Sequence, residues 1–461
     1  MLLALRFFSV DDLVLAPLCL LLLYAVIRNR AERNTDPQIK KLYYRGFYFK
    51  ILCVLAFTYV TEFIFKGGDT SLYYQGIKDL RAAIDADFSH VGTIIKSFKL
   101  SMDNPLTPYF YYDNYSDDFI YNYMLLPNNF LIPKLGLLPS VTFFNNYLCI
   151  NFIFGFFALG GAIRLFKTFH YYFPNYTSEL AMATIFLPSV GFWSAGLLKD
   201  TVCFGSVGYI IYATLNIFVK KKKIRASLIW IILCAFLIYN IKTYLLLILI
   251  LSMLIWFFAV THKLIADRTL RNIFIFLTLV PSCIVGYFLL NYLTTGEGVQ
   301  QYKIDTFFEQ AESHRKVIDD LGKIGFLGSN FSMNTSDPFL LVPTSIFTIL
   351  FRPFFWEVKS PVALFSALES FFLLFLTLYF FFKRGIRKFF SYSFSDPILL
   401  MCFIFSIVFA LAVGASTTNF GALSRYRIPC IPFYLIMLLM LYKKTSLSYP
   451  KWFYKVLNWI R

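Results

Sequence analysis

An all-α, multi-pass bundle of transmembrane helices is the fold class this sequence predicts, and three observations predict it. The chain is 58% hydrophobic over 461 residues, with a mean hydropathy of +0.63, more apolar side chain than one soluble core can hide. Its apolar residues come in long runs without the alternation of barrel strands, so helices are the form that satisfies the backbone in lipid. Its basic residues gather in alternate loops, the pattern of a chain that crosses a bilayer repeatedly.

Taken in order, segments 13–27, 51–65, 146–165, 201–219, 272–290, 361–382 and 397–413 reach or approach the length that crosses about 30 Å of hydrocarbon as helix. Segments 179–195, 227–240, 244–259 and 428–442 are shorter or interrupted and bring the expected number of crossings to about eleven. The net charge of +17 would point to nucleic acid in a soluble protein. Here its distribution points to topology instead. Segments 28–50, 220–225, 263–271, 383–388 and 443–461, with Arg164 and Lys167, hold most of the 43 Lys and Arg, whereas the remainder holds more acids than bases. Basic loops stay cytoplasmic, which places the amino terminus outside and the carboxyl terminus inside, and an odd number of helices satisfies both. In residues 1–28 the basic flank follows the apolar run and no A-x-A site closes it, so this is expected to be the first helix rather than a signal peptide.

Two outer-face segments, 66–140 and 293–360, hold loops and interfacial elements within what reads as one membrane domain, 1–461. The first contains the run from Tyr109 to Asp118, rich in Tyr, Asn and Asp. In the second, Ile304, Phe307, Phe308, Ala311, Val317 and Leu321 recur near helical spacing among charges, which predicts an amphipathic surface helix. Segment 338–356 is apolar, but basic loops flank it on one side of the membrane, so it is expected to be re-entrant. The eight cysteines lie in or beside apolar spans without paired spacing and read as small core residues. The four histidines are scattered, and neither a Walker loop nor a Gly-x-Ser-x-Gly elbow occurs, so an ATP-driven pump has no support.

Four motifs carry polar chemistry, all expected on the outer face. Lys66-Gly67-Gly68-Asp69-Thr70, followed by Tyr73 and Tyr74, sets a carboxylate at the membrane boundary; it suits a general base or a divalent-cation ligand, and equally a helix stop followed by a helix start. The turn from Phe186 to Asp200 ends in Lys199 and Asp200, costly at membrane depth unless paired or wet; the alternative is that both snorkel to the interface. Phe351-Arg352-Pro353-Phe354-Phe355-Trp356-Glu357 offers Arg352 as a bidentate grip on phosphate or carboxylate, or as an internal ion pair with Glu357. Finally, Arg425 and Arg427 flank Tyr426 against the topological charge bias, which suggests an anionic ligand such as a polyprenyl phosphate, or ordinary lipid headgroups.

At these four motifs the chain resembles polytopic bacterial envelope-polysaccharide proteins, a group that includes GT-C-type glycosyltransferases and O-antigen-type polymerases. The resemblance implies a glycosyltransferase of the bacterial inner membrane that takes sugar from a polyprenyl-phosphate-linked donor on the outer face, for envelope polysaccharide or glycoconjugate synthesis. It implies Asp69 as base, Arg425 and Arg427 as the phosphate grip helped by Lys199 or Arg352, and a possible divalent cation at Asp69. The chain departs from the GT-C pattern in having an extra helix ahead of the acidic loop and one acid where a pair is usual. A metal-free polymerase or ligase using lipid-diphosphate-linked glycans fits the same residues. A transporter would need polar groups in mid-membrane, and apart from Glu369 the spans read as nearly free of charge; a non-catalytic scaffold is the remaining alternative.

Overall fold

The computed structural model describes residues 7–111, 119–261, 338–358, 361–416 and 419–460, with isolated positions from 267 to 273. Among these residues every regular element is helical and none is a strand. The chain divides into two compact units, Met1–Lys242 with Ile460–Arg461, and Thr243–Trp459, a division that the even hydropathy of the sequence did not reveal. The expected surface helix around Phe307 and the crossing 272–290 lie outside the described residues.

The first unit begins with α1 (Asp12–Glu32) and α2 (Pro37–Tyr59), which a π-helical turn extends through Phe65. Asp36 starts α2 by accepting from Gln38 N at 2.8 Å, with Pro37 supplying a helical φ and no orphan N–H. A set of shorter helices follows: α3 (Asp69–Ala86), α4 (His90–Lys96), α5 (Thr107–Tyr111), α6 (Phe119–Met124) and α7 (Pro127–Thr142). Next comes α8 (Tyr147–Tyr172), capped by Asn146, whose side chain accepts from Cys149 N at 2.9 Å. Then come α9 (Thr177–Thr184), α10 (Pro188–Trp193), α11 (Lys199–Thr214) with a π-helical extension to Val219, and α12 (Ile224–Thr261) up to Lys242.

Glycine fixes how α8 and α11 meet. A Cβ on Gly161 would lie 2.3 Å from Gly205 O, and one on Gly208 would lie 2.1 Å from Gly161 O. Backbone therefore touches backbone, the device that lets helices associate where lipid gives no hydrophobic drive. Gly161→Leu is expected to part the two helices and cost about 1–3 kcal/mol as overpacking, read as a lower apparent melting temperature in detergent. Gly92→Ala, where a Cβ meets nothing within 4 Å, is the neutral control.

The second unit takes up the rest of α12, then α13 (Pro338–Phe351), a 3-10 turn (Phe355–Glu357), α14 (Pro361–Arg384), α15 (Ile386–Ser395), α16 (Pro397–Ser416), α17 (Phe420–Tyr426), α18 (Ile431–Lys444) and α19 (Lys451–Ile460). Helix α18 is its core: every residue from Ile431 to Tyr442 is buried. Gly414 of α16 lies against the Ser345 backbone of α13, where a Cβ would come within 2.4 Å of Ser345 O.

Among the described residues seven helices are long and apolar enough to cross a membrane, or eight if α17 and α18, bent by 66°, form one span. Of the eleven expected crossings, 179–195 and the second half of α12 are not among these as separate helices, and 272–290 lies outside the described residues. Segment 179–195 is two helices of 8 and 6 residues, broken ahead of Pro188, each too short to cross by itself. Segments 227–240 and 244–259 run on as α12, with no glycine or proline between them, interrupted only where Lys242 leaves helical geometry at φ −146° and ψ 77°. The first basic loop is also shorter than expected, because α2 starts at Pro37 and takes Lys50 into the bundle.

Candidate functional site

In the first unit the turn from Phe186 to Asp200 is pinned by side chains of α2 and α8. Lys50 is buried and donates to Gly191 O at 2.9 Å, Ser194 Oγ at 2.8 Å and Ser194 O at 3.3 Å. Asn151 Oδ1 accepts from Leu197 N at 2.8 Å, while its Nδ2 donates to Thr58 Oγ1 at 3.2 Å. Thr201 Oγ1 closes the turn on Gly196 O at 2.7 Å. Broken backbone at membrane depth needs such partners, since hydrocarbon supplies none.

Lys199 and Asp200 open α11 together, but they part company there. Asp200 is only 1% exposed and forms an ion pair with Lys242, at the break in α12. Lys199 is half-buried. Lys242 escaped the sequence reading because it stands alone between two apolar runs; its signal was the price of a cation there without a carboxylate.

Asp69 is the first residue of α3, half-buried. Lys66 ends the preceding helix in the left-handed region at φ 52°, donating its N–H to Thr61 O, and Gly67 and Gly68 take φ 131° and 110°. Three successive positive φ values turn the chain, and only glycine accommodates the last two without strain. The stop-and-start reading is thus realised, with the carboxylate at the helix end where the dipole favours it. Tyr73 is buried, accepting from Tyr123 OH at 3.0 Å and donating to Asn129 Oδ1 at 3.5 Å. Tyr74 OH donates to Asn145 O at 2.7 Å and its ring meets Tyr147 edge-on. Both tyrosines are built into the packing of the unit rather than presented as a binding face. No group of three or more His, Cys, Asp or Glu placed to hold a metal ion occurs among the described residues.

In the second unit two motifs meet. Arg427 is fully buried; its Nη1 donates to Arg352 O at 2.9 Å and Ser370 Oγ at 2.6 Å, its Nη2 donates to Ser366 O at 3.1 Å, and Glu369 Oε1 lies 3.7 Å away. It therefore ties α14 to the end of α13 and is not open to a ligand, contrary to its expected place in the phosphate grip. Arg352 pairs with Glu357 through both Nε and Nη2, as the internal-pair reading expected, and its guanidinium lies 5.1 Å from the Phe420 ring centroid. Glu357 also accepts from Phe354 N at 2.8 Å. Arg425 is half-buried, with Nη2 3.3 Å from Tyr426 OH.

The expectation of spans nearly free of charge is corrected here. Besides Glu369, the residues Lys50, Asp200, Lys242 and Arg427 are all buried within or at the ends of apolar helices. Four of these five are basic or acidic groups that local sequence places in loops or turns, and only packing moves them inward. The argument from charge-free spans against transport therefore lapses. No protein-family model, curated protein or solved structure matches this chain.

Proposed function

We propose that this protein is a membrane glycosyltransferase that acts on a polyprenyl-phosphate-linked glycan at the outer face of a bacterial inner membrane. The observation that carries the reading is the arginine element of the second unit. Buried Arg427 holds the Arg352 carbonyl, so the Arg352 to Glu357 turn and the Arg425 segment are fixed together before any ligand arrives. Preorganised cations of this kind stabilise a departing phosphate at little reorganisation cost. In this mechanism Arg425 and Arg352 take the phosphate and Glu357 orients Arg352; a base role for Asp69, in the first unit, is a separate proposal that rests on the resemblance alone. The topology proposed with it has eleven crossings: α12 as two, meeting at the outer level of Lys242, a re-entrant 338–356, the amino terminus outside and the carboxyl terminus inside.

A polymerase or ligase working on lipid-diphosphate-linked glycans is the second reading, favoured by one observation: Arg427 ties the Arg352 and Arg425 segments together within one unit. One pair of variants separates the two. Arg425→Ala is expected to lower glycan transfer or polymerisation in isolated membranes about 100-fold with membrane insertion unchanged; normal turnover would remove the phosphate role. Asp69→Asn keeps the helix start but accepts no proton, so loss of turnover with lipid-donor binding retained supports the base, while full activity favours the arginine-only polymerase.

A further inference from the structure

At the opposite end of α11 from Asp200, three cations of the first unit gather. Arg164 and Lys167 are three residues apart on α8 and share a face, and Lys220 follows the π-helical end of α11. All three are half-buried. The Arg164 guanidinium lies 3.9 Å from the Tyr209 ring centroid and 5.7 Å from that of Trp230. Lys167 Nζ is 5.1 Å from the Tyr43 centroid and donates to Asn34 Oδ1 at 3.1 Å. Lys220 Nζ is 4.9 Å from the Tyr171 centroid and 5.2 Å from that of Tyr212.

The charged residues that act on Lys167 and Lys220 are themselves cationic, and Asp36, in the α1–α2 connection, acts instead on His170 further along α8. Arg30, Arg164 and Lys223 act on Lys167, and Lys167 and Lys222 act on Lys220. Among the described residues no carboxylate comes within 4.0 Å of Arg164, Lys167 or Lys220. Burial, and then these neighbours, hold the Lys220 ammonium below its ordinary value. Aromatic faces attract a cation but carry no net charge, so they leave the repulsion among the cations in place, and partial burial strengthens it. A bound anion removes it.

We propose that Arg164, Lys167 and Lys220 form a binding site for a phosphate-bearing anion at the basic end of the first unit, separate from the arginine element of the second. The guanidinium fork suits two phosphate oxygens, and the two ammonium groups close on the rest. The phosphate belongs either to a lipid headgroup or to a soluble phosphate ester.

The test uses the full chain in phosphatidylcholine nanodiscs, with phosphatidylglycerol added as one probe and inorganic pyrophosphate as the other. Native mass spectrometry counts retained phosphatidylglycerol, and thermal denaturation reads stabilisation by either probe. Wild type is expected to bind one of them, and R164Q/K167Q/K220Q to bind it at least about tenfold more weakly, the loss of one charge-assisted contact or more. A response to phosphatidylglycerol alone assigns a headgroup; a response to pyrophosphate in phosphatidylcholine assigns a soluble ester. Lys220→Gln alone, at a loop position, carries the test should the triple variant fail to fold. The proposal is overturned if wild type responds to neither probe, or if K451Q/K455Q, in the second unit, loses as much binding as the triple variant, since diffuse charge would then explain the effect.

Discussion

Asp200→Ala is expected to destabilise the first unit by about 3–5 kcal/mol, the cost of stranding one member of a buried ion pair. Asp200 is 1% exposed and Lys242 8%, so water does little to replace the lost carboxylate. The double variant D200N/K242M tests the cause: it removes both charges and keeps comparable volume, and should recover most of the loss, because a buried pair often adds little net stability over neutral residues. The measurement is the apparent melting temperature in detergent together with the yield of folded protein. If the double variant were as unstable as Asp200→Ala, the pair would not be the source of the loss, and the hydrogen bonding of the α11 start would be.

Arg427→Ala is expected to have the second large effect, again about 3–5 kcal/mol, with loss of any transfer activity. The guanidinium serves the Arg352 carbonyl, Ser366 O and Ser370 Oγ, and lies 3.7 Å from Glu369; deleting it removes a shared donor from all of them. Its neighbour Arg425 behaves differently, since it is half-buried and is expected to lose activity with little loss of stability. Arg427→Lys sharpens the contrast. An ammonium keeps the charge but cannot span three acceptors in the guanidinium plane, so it should rescue only part of the stability. Equal stability of wild type and Arg427→Ala would show that the tie between α13 and α14 is made elsewhere.

The sequence was most legible where a single run of residues decides the outcome. The apolar runs at α1, α8, α11, α14 and α16 gave helices in their expected places, and Asn146 and Asp36 mark helix starts by chemistry local to the cap. The Lys66-Gly67-Gly68 turn was readable for the same reason. Where the reading went astray, two segments far apart were involved. Lys50 resembles the end of a basic loop until Gly191 and Ser194, over 140 residues away, supply acceptors for it. Arg425 and Arg427 look equivalent along the chain, and only the arrival of Ser366 and Ser370 from α14 makes one a tie and leaves the other half-buried.

By itself, then, the sequence determined that this is an all-helical, multi-pass membrane protein, because hydropathy and helix length are properties of contiguous residues and hydrocarbon permits few alternatives. It also marked Asp200 and Arg427 as unusual polar groups, but not Lys50 or Lys242. Tertiary structure alone decided the division into two units, the pairing of Asp200 with Lys242 and the burial of Arg427. Those depend on which polar group satisfies which at depth, a matching between distant segments that no local pattern encodes, and one that low dielectric makes too costly to leave unmade.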